Sequence, residues 1–456
     1  MSRTLVPTYM QGVFVTPETY GAVGDDSTDD TTALNAAATA AGAWGQVFLD
    51  PAKTYRVTAS ITPLQGQTWW GGGKITTANG YNFNVFNLSG ITDVTIRGLR
   101  GASGTLGAAY SSATARFVSA SASSHRCKVI GCHVTGFQSA VQFSASTDCK
   151  ALDNTIVSPY GWGINIQTDA DYSEARGNRI TGAVNEHGIY VAGSNGNNLL
   201  GVKVSENWVS GCLIDGIKVS YADDTLVADN HSFTNGGEGV YITVGANRTE
   251  VQRNYSYNNT GNGVLVYTGT AGDTIDRNRV VGNVVRKNYK NGISVTYAST
   301  GAVTNTVVTD NDVDDNDQAA TTTNYGIVLA GGASNSGGWV YNNRVTNETI
   351  GIRVAASVAS ARLGQNTFSG NTTNISDSGT TTSLEQATSG VSTSIADGGT
   401  ITHGHPKTPT SVVCTPSTTG EFVSVTAIGA TTFTVAIKKH DNSAGTTQTL
   451  YWRAAG

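Results

Sequence analysis

Two acidic residues in the middle of the chain stand at the same place in a short recurring pattern. Asp215 and Glu238 lie 23 residues apart, and each directly precedes a glycine that is followed by apolar-x-apolar. A pair of carboxyl groups is what cleavage of a glycosidic bond requires, because one protonates the leaving oxygen while the other attacks or activates water. If the fold stacks these two positions, we expect Asp215 and Glu238 to form a catalytic pair.

Two further ionisable residues fall in the same pattern and allow a second chemistry. His187 precedes the glycine of the preceding copy, and Lys218 lies two residues after Gly216. Lys218 or a tyrosine could remove a proton in the β-elimination of a uronic acid, with His187 neutralising the carboxylate of the sugar. The residues alone therefore leave hydrolysis and elimination open, and also a solvated polar face without a catalytic role.

Aromatic and polar side chains at related positions are candidate sugar contacts, because exposed aromatic rings offer apolar surface to the C–H faces of sugars. The predicted substrate-binding residues are Glu186, Tyr190, Tyr241, Trp162, Trp208, His231, Tyr255 and Tyr267. Ordinary packing of the turns is the alternative for each ring taken singly.

The recurring pattern is a repeat that extends through most of the chain. An asparagine returns at intervals of 23 to 32 residues, and the glycine pattern follows the first eight copies. The asparagines are Asn154, Asn178, Asn207, Asn230, Asn254, Asn283, Asn311, Asn343 and Asn366, and the glycines are Gly163, Gly188, Gly216, Gly239, Gly263, Gly292, Gly326 and Gly351. Such short alternating strands cannot bury their own apolar face, so successive copies must stack and pair in parallel.

Stacking places equivalent residues of successive copies about 4.8 Å apart. Asp215 and Glu238 then become vertical neighbours, with His187 on the coil before them. We interpret the repeated asparagine as a buried ladder, in which each amide bonds the backbone and the asparagine of the neighbouring coil. The pattern predicts an all-β fold, a parallel β-helix over residues 19–370; right-handedness rests on general knowledge of such solenoids and not on the spacing.

The N-terminal segment supplies a cap for the open end of the solenoid. Residues 1–18 are predicted as an N-terminal arm. A capping helix is expected near residues 28–41, where a Ser/Thr/Asp cluster offers an N-cap and an acidic first turn. An apolar stripe from Leu34 to Ala41 follows, and Gly42 ends the helix.

The same segment resembles a known family. Residues 19–34 read TYGAVGDDSTDDTTAL, and residues 47–57 read VFLDPAKTYRV. These segments resemble the opening motif of the pectate-lyase-like superfamily, which begins many phage tailspikes, polysaccharide lyases and β-helical glycosidases. The resemblance implies a right-handed parallel β-helix with a substrate groove along one strand face and the turn before it. It leaves the reaction open, because this scaffold carries several chemistries.

The repeats end near residue 370. Residues 371–394 are rich in Ser and Thr and predict a linker. Residues 395–456 alternate short apolar strands with polar turns, which predicts a small C-terminal β-sandwich for trimerisation or glycan binding.

This C-terminal segment carries a second resemblance. The stretch 397–405 and the ending 451–454 resemble the terminal module of many phage tail proteins, which implies a homotrimer and a virion component. His403 and His405 form a His-x-His pair that could bind a metal on a trimer axis. Surface or interface histidines are the default interpretation, so we expect no metal site.

Composition restricts the class of protein further. The chain of 456 residues has 55 glycines, 13% charged residues and a net charge of −5, so no positive balance exists to neutralise nucleic-acid phosphates. No apolar stretch is long enough to span a bilayer, and the N terminus has no apolar segment of a signal peptide. The five cysteines are not paired as in metal sites, which predicts reduced thiols. We expect no cofactor.

These observations and resemblances lead to one hypothesis with three alternatives. The hypothesis is a homotrimeric phage or prophage tailspike, made in the host cytoplasm and carried in the virion, that binds and hydrolyses a bacterial surface polysaccharide. The expected partners are a capsule or O-antigen polysaccharide, two further copies of the chain, and phage tail or baseplate proteins. The alternatives are a polysaccharide lyase, a tail fibre that binds glycan without cutting it, and a structural virion protein.

Overall fold

The chain winds into a stack of coils, each of which contributes one short strand to each of three long parallel sheets. The computed structural model describes residues 14–109, 114–270, 272–297, 301–318, 325–331, 335–380, 382–384, 388–405 and 408–455. Each strand pairs in parallel with its counterparts on the coils before and after it, as Ile189 does with Ile164 and Ile217. The prediction of an all-β parallel solenoid is confirmed.

Each coil passes through the three sheets in the same order. The first sheet comprises Phe14–Val15, Gln46–Phe48, Thr68–Trp70, Thr95–Arg97, Lys128–Ile130, Lys150–Leu152, Glu174–Arg176, Lys203–Ser205, Leu226–Ala228, Glu250–Gln252, Arg279–Val281, Val307–Thr309, Trp339–Tyr341, Arg362–Gly364 and Ser383–Leu384. The second sheet comprises Asp25–Asp29, Thr54–Val57, Lys74–Thr77, Arg100–Ala102, His133–Thr135, Thr155–Val157, Arg179–Thr181, Trp208–Ser210, His231–Phe233, Tyr255–Tyr257, Val284–Arg286, Asp312–Asp314, Arg344–Thr346 and Thr367–Ser369. The third sheet comprises Phe86–Asn87, Arg116–Ala120, Ser139–Ser144, Trp162–Gln167, Ile189–Ala192, Ile217–Ser220, Val240–Thr243, Val264–Thr268, Ile293–Tyr297, Ile327–Leu329, Ile350–Val354 and Thr373–Asp377.

Smaller sheets form where the chain returns from the third sheet to the first. Their strands are Ser124–His125 with Ser146–Thr147, Leu199–Leu200 with Ala222–Asp223, and the set Thr274–Asp276, Ala302–Thr304, Asn335–Ser336 and Val358–Ala359. These strands extend the parallel stacking into the turns, so backbone pairing also fixes the path of the chain between the third sheet and the first in these coils.

Two antiparallel sheets follow the solenoid, as predicted for a small C-terminal β-sandwich. One sheet contains Thr388–Ile395, Gln448–Ala455 and Ser411–Pro416, and the other contains Thr400–Thr402, Thr432–Lys439 and Glu421–Ile428. Ile401, Phe433, Val435, Ile437 and Leu450 are buried together in a separate apolar core. Alternating strands with one apolar face produce this packing, because each sheet can bury that face only against the other.

The solenoid core consists of the inward residues of the alternating strands. Ile217 and Val219 are fully buried, whereas Lys218 between them points outward and is only partly buried. The same alternation repeats from coil to coil, and a continuous column of Ile, Val and Leu side chains therefore fills the interior. Outward positions are free of this packing constraint, which leaves them available for function.

The predicted asparagine ladder is confirmed. In a representative step, Asn178 Nδ2 donates to Asn207 Oδ1 at 2.9 Å and to the Ala151 carbonyl at 2.9 Å. The Asn178 backbone N–H donates to the same Asn207 Oδ1 at 3.0 Å. The ladder joins every repeated asparagine from Asn154 to Asn366. Each amide thus satisfies backbone groups that the turn would otherwise leave unpaired in a buried place.

A second ladder, which the sequence analysis did not identify, runs through the turn between the second and third sheets. Asn235, Asn259, Asn288 and Asn316 are linked in the same way, with amide-to-amide distances between 2.9 and 3.0 Å. At the next coil the ladder position is Glu348, whose Oε1 accepts the Asn316 amide at 2.9 Å. Glu348 Oε2 is buried and has no hydrogen-bond partner within the described residues. Burial raises the pKa of Glu348 to about 7.

The capping helix is present but begins later than predicted. It spans Thr31–Ala41 and ends at Gly42, whereas Asp25–Asp29, part of the predicted start, forms a strand of the second sheet. Asp30 precedes the helix, but its carboxylate accepts the N–H groups of Val23 and Gly24 instead of those of the helix. Asp29 Oδ1 accepts the N–H of Thr31, the first helical residue, at 3.0 Å, so the acidic cluster organises both the first coil and the start of the helix. No helix among the described residues is long and apolar enough to cross a membrane.

Both predicted ends of the solenoid need correction. Phe14–Val15 lies within the predicted arm of residues 1–18 but pairs with Gln46 and Val47 of the first sheet; residues 1–13 lie outside the described residues. Thr373–Asp377, in the predicted linker 371–394, pairs in parallel with Ile350–Val354. The Ser- and Thr-rich composition wrongly predicted a linker for this strand, because parallel pairing uses backbone groups that every residue has. Ile375 is the one residue of the strand that packs against the core.

A prediction concerns the stability of the solenoid as a function of pH. The folded-state pKa of Glu348 is about 7, above its ordinary value of 4.5, so protonated Glu348 favours folding. Stability should fall by about 3 kcal/mol as pH rises from about 4.5 to 7, and Glu348→Gln should remove this loss. The thermal midpoint measured at pH 5 and pH 8 checks this expectation.

The matched control is Glu206→Gln, because the Glu206 side chain is 60% exposed and has only a 3.8 Å ion pair with Arg176. This control should leave the pH dependence unchanged. An unaltered pH profile in Glu348→Gln would contradict the interpretation of Glu348 as an uncharged ladder member.

Candidate functional site

The residues that precede the repeated glycine form a third ladder, in the turn that leads into the third sheet. Each side chain accepts the backbone N–H of the equivalent residue on the next coil. The members in order are His187, Asp215, Glu238, Asn262 and Asn291, and the last accepts the N–H of Tyr325. The position before the repeated glycine is therefore polar because its side chain must accept a backbone N–H. Asp215 and Glu238 are the two carboxylates of this ladder.

Asp215 and Glu238 are held in equivalent positions on adjacent coils. Asp215 Oδ1 accepts the Glu238 N–H at 2.8 Å, and Glu238 Oε2 accepts the Asn262 N–H at 2.8 Å. The glycine one coil on leaves room for each carboxylate: a Cβ at Gly237 would lie 2.3 Å from Asp215 Oδ1, and a Cβ at Gly261 would lie 1.3 Å from Glu238 Oε2. Asp215 and Glu238 are therefore neighbours along the solenoid axis, as predicted.

The electrostatic environment of Glu238 favours its protonated form. Burial raises the pKa of Glu238, and the negative charge of Asp215 raises it further. Hydrogen bonds from Asn262 and the positive charge of Lys290 act in the opposite direction, but the net change is upward. The pKa of Glu238 is therefore shifted in the direction that suits a general acid.

His187 connects Asp215 to a further carboxylate. Its ring is 4% exposed, with Nδ1 at 3.1 Å from Asp215 Oδ2 and Nε2 at 3.5 Å from Glu186 Oε2. Nδ1 also lies 3.2 Å from the Asp215 backbone nitrogen. This nitrogen donates to the carboxylate or accepts the N–H according to the tautomer of the ring, and either contact holds His187 against Asp215.

Two tyrosines hold Lys218 beside the carboxylate pair. Lys218 Nζ lies 5.5 Å from the ring centre of Tyr190 and 5.3 Å from that of Tyr241. These are the outward residues on the coils before and after Lys218, so the ammonium group is sandwiched along the solenoid axis. Burial raises the pKa of Tyr241 to about 12, which makes Tyr241 a poor base at neutral pH.

These side chains line an open groove of about 640 Å³. Of the predicted site residues, Asp215, Lys218, Glu238, Tyr241 and Tyr267 line it. His187 and Tyr190 adjoin them on the preceding coil, their rings 5.2 Å apart, and Trp162 stacks on Tyr190 with ring centres 6.2 Å apart. The groove follows the third sheet and the turn before it.

Asn262 and Lys290 are among the groove residues that the sequence analysis did not identify. Asn262 directly precedes the repeated Gly263, which is the position that Asp215 and Glu238 occupy in their copies. Lys290 lies two residues before the repeated Gly292. Comparing the residues at this position in every copy, in addition to those directly before the glycine, would have found it.

Comparisons with known proteins agree with this architecture. The family model described as "Right handed beta helix region" matches residues 116–280, which include Asp215 and Glu238. No curated protein sequence matches this chain.

Several solved structures share the fold. The A-module of a mannuronan C-5 epimerase from Azotobacter vinelandii is 17% identical, with 81% of this chain and 97% of that chain covered and a TM-score of 0.54. The Dettilon tailspike protein is 14% identical, with 97% and 94% covered and a TM-score of 0.56. A double mutant of the tailspike of E. coli bacteriophage HK620, in complex with a pentasaccharide, is 12% identical, with 95% and 90% covered and a TM-score of 0.60.

The chain is a right-handed parallel β-helix. The predicted handedness is thereby confirmed, and the likeness in fold extends to tailspikes. At these sequence identities the likeness concerns the fold, so the chemistry has to be argued from the residues of the β-helix itself.

Three predicted sugar contacts lie outside the groove, on the second sheet of the β-helix. Trp208, His231 and Tyr255 occupy the same register position on adjacent coils. The Trp208 and His231 rings stack at 4.6 Å and 7°, and the Arg179 guanidinium lies 5.7 Å from the Trp208 ring on the preceding coil. Both faces of the indole are therefore covered, although Trp208 is 37% exposed. A sugar platform needs a free ring face, so this arrangement is an aromatic ladder that stabilises the sheet.

The His403 and His405 pair follows the strand Thr400–Thr402 of the C-terminal sheets directly. His403 Nδ1 accepts the His405 N–H at 3.0 Å, and His403 Nε2 lies 3.1 Å from the Gly429 carbonyl. Both ring nitrogens of His403 are engaged with the backbone, and both residues are buried. Within the described part of the chain, no group of three or more His, Cys, Asp or Glu side chains could hold a metal ion.

The first prediction for the site concerns the pKa of Glu238. Asp215→Asn should lower this pKa because a neighbouring negative charge is removed, and Lys290→Gln should raise it because an opposing positive charge is removed. Titration of the side-chain carbonyl of isotopically labelled glutamate by NMR measures both shifts. Lys203→Gln, on the first sheet, is the control that should change neither. Shifts of the opposite sign would refute the assigned environment of Glu238.

The second prediction separates the aromatic ladder from the groove. Trp208→Ala should lower the free energy of unfolding by about 2 kcal/mol, because stacking and partial burial are lost. Tyr267→Ala, in the groove, should leave stability nearly unchanged but weaken glycan binding. Thermal melts and glycan-binding measurements on both variants check this contrast, and weakened binding in Trp208→Ala at unchanged stability would contradict it.

Proposed function

We propose that this β-helix is a polysaccharide depolymerase of the tailspike kind, which binds a bacterial surface polysaccharide in the groove and hydrolyses it. The observation that carries the proposal is the pair Asp215 and Glu238, held rigidly on adjacent coils in an open groove and differing in electrostatic environment. The likeness in fold to tailspikes, one of them in complex with a pentasaccharide, supports a saccharide as ligand.

In the proposed reaction Glu238 is the general acid. Its proton passes to the glycosidic oxygen as the bond to the anomeric carbon breaks, and the raised pKa of Glu238 favours the protonated form that this step requires. Hydrogen bonds from the N–H and the Nδ2 of Asn262, at 2.8 and 3.2 Å, orient the carboxyl group. The same bonds stabilise the carboxylate that remains after proton transfer.

Asp215 takes the second role in the proposed reaction. Its Oδ1 is fixed by the Glu238 N–H, and its Oδ2 faces His187. Equivalent positions on adjacent coils lie about 4.8 Å apart, close to the ~5–5.5 Å separation of retaining glycosidases. We therefore assign Asp215 as the nucleophile: a glycosyl ester forms on it, and water activated by Glu238 then cleaves that ester with net retention. His187 is a positioning residue for Asp215.

The proposal includes assembly and location. We propose a homotrimer in a phage tail, in which the C-terminal antiparallel sheets contribute to trimerisation. The likeness in fold to tailspikes and the resemblance of the C-terminal segment to phage tail modules support this assembly. Light scattering on the purified chain measures the mass, and a monomer at micromolar concentration would overturn this part of the proposal.

The decisive experiment is a pair of conservative substitutions. Asp215→Asn and Glu238→Gln should each reduce depolymerisation of the polysaccharide substrate at least a hundredfold, because each removes one half of the acid and nucleophile pair. Both variants should keep the thermal midpoint, since the replacements preserve the acceptor oxygen of the turn ladder. Asp229→Asn, on an exposed turn where Asp229 pairs with Arg253, is the control that should retain full activity.

The products distinguish the remaining chemistries. New reducing ends that keep the anomeric configuration support the retaining mechanism, whereas absorbance from a new C=C bond would indicate a lyase. Binding without cleavage would indicate a non-catalytic receptor-binding protein. Full activity in both Asp215→Asn and Glu238→Gln would move the site elsewhere.

A further inference from the structure

The groove contains two ammonium groups that the proposed hydrolysis does not use. Lys218 and Lys290 both line it, and within the described residues neither lies within 4 Å of a carboxylate. Several cations elsewhere on the surface do have such partners, as in Arg126 with Asp93 at 2.7 Å and Lys150 with Glu174 at 3.0 Å. The two groove lysines therefore differ from these surface cations in making no direct ion pair, although Lys290 acts on Glu238 at longer range.

The position of Lys218 is fixed before any ligand arrives. The rings of Tyr190 and Tyr241, 5.5 and 5.3 Å away, hold the ammonium group from the coils on either side. These contacts attract the cation without neutralising its charge. A side chain that is ordered in advance loses little conformational entropy on binding, so Lys218 is suited to bind an anionic group of the ligand.

Lys290 lies further along the same groove and is exposed. It belongs to the coil of Asn291, three coils beyond the coil that carries Asp215 and Lys218. Three coil spacings correspond to about 14 Å along the solenoid axis. Glu238 lies on a coil between the two lysines, and the positive charges thus bracket the proposed cleavage point.

The net charge of the chain is opposite in sign to the charge of the two groove lysines. At −5 overall, the protein would repel a polyanion at long range. Two unpaired lysines in the groove supply a local attraction that a neutral sugar does not need. The hydroxyl groups of a neutral sugar would be served equally well by the serine, threonine and asparagine side chains that also line the groove.

We infer that the groove accepts an acidic glycan, whose carboxylates are bound by Lys218 and Lys290 on either side of the Asp215 and Glu238 pair. The inference rests on the proposed function and adds the substrate class. Uronic and ulosonic acids share the required chemistry, a sugar ring that bears a carboxylate. Lys218 and Lys290 then determine specificity, and neither takes part in proton transfer.

The first experiment uses capsular and O-antigen polysaccharides, sorted into acidic and neutral polymers. The polymer that the protein cleaves should be acidic, and reduction of its carboxyl groups to alcohols should lower kcat/KM at least tenfold. Lys218→Gln and Lys290→Gln should each lower kcat/KM about tenfold more on the native polymer than on the reduced polymer, because only the native polymer has carboxylates for these lysines to bind. Lys203→Gln on the first sheet is the charge-matched control and should change neither.

The second experiment does not depend on cleavage. The lysines are labelled with 13C-methyl groups by reductive methylation, which preserves their charge, and the Lys218 and Lys290 signals are assigned from the two glutamine variants. Glucuronate and N-acetylneuraminate, added separately, distinguish uronic from ulosonic acids, and glucose is the neutral comparison. We expect one acid to shift both signals and glucose to shift neither; equal shifts with glucose, or no shift with either acid, would overturn the inference.

The two proposals fail in different ways. Cleavage of a neutral polymer that is abolished by Asp215→Asn and Glu238→Gln would sink the acidic-glycan inference and leave the proposed hydrolysis intact. Lysine-dependent binding of an acidic sugar without cleavage would refute the proposed hydrolysis and leave the acidic-glycan inference intact.

Discussion

Hydrogen bonds between successive coils, made by buried polar side chains in the turns, are the constraint on which this structure depends. Parallel strands of two to six residues supply the backbone pairing, but every coil must also turn between sheets, and each turn leaves N–H and C=O groups without strand partners. The asparagine ladder satisfies these groups at one turn with distances near 2.9 Å that hardly vary along the stack. Such regularity fixes the register of every coil, and therefore the alignment of all outward columns.

The candidate site is a variation on the same device. In the turn before the third sheet the acceptors are His187, Asp215, Glu238 and two asparagines, so the catalytic candidates also satisfy the backbone. This double role explains how two carboxylates, Asp215 buried and Glu238 partly buried, can lie on adjacent coils without disrupting the fold. One oxygen of each carboxylate is held by the next coil while both side chains line the groove. Burial, and after it the negative charge of Asp215, raises the pKa of Glu238, which is the direction that acid catalysis uses.

Outward columns of the solenoid serve different ends according to how their side chains stack. On the second sheet, Trp208 and His231 cover each other face to face, and Phe233 and Tyr257 do the same at 4.8 Å. These rings are bound to one another and present mainly their edges to solvent. On the third sheet the rings of Tyr190 and Tyr241 are separated by the intervening Lys218, so a cation interrupts the stack and faces the groove. A single change of residue type within a column thus converts a structural ladder into a binding surface.

The sequence by itself determined the period, the inward columns and the adjacency of Asp215 and Glu238. All three follow from local spacing, because a repeat that cannot bury its own apolar face must stack on the next. The solenoid ends were predicted less well, since strands such as Thr373–Asp377 pair through backbone groups that leave little trace in composition. Only the tertiary structure decided which outward residues share a groove. Trp208, on the second sheet, and Asp215, in the turn before the third sheet, are close in sequence but only Asp215 lines the groove, whereas Lys290 joins Asp215 there from three coils away. Spacing records the order of positions along the chain, but the direction in which a side chain points is set by how each turn folds against its neighbours.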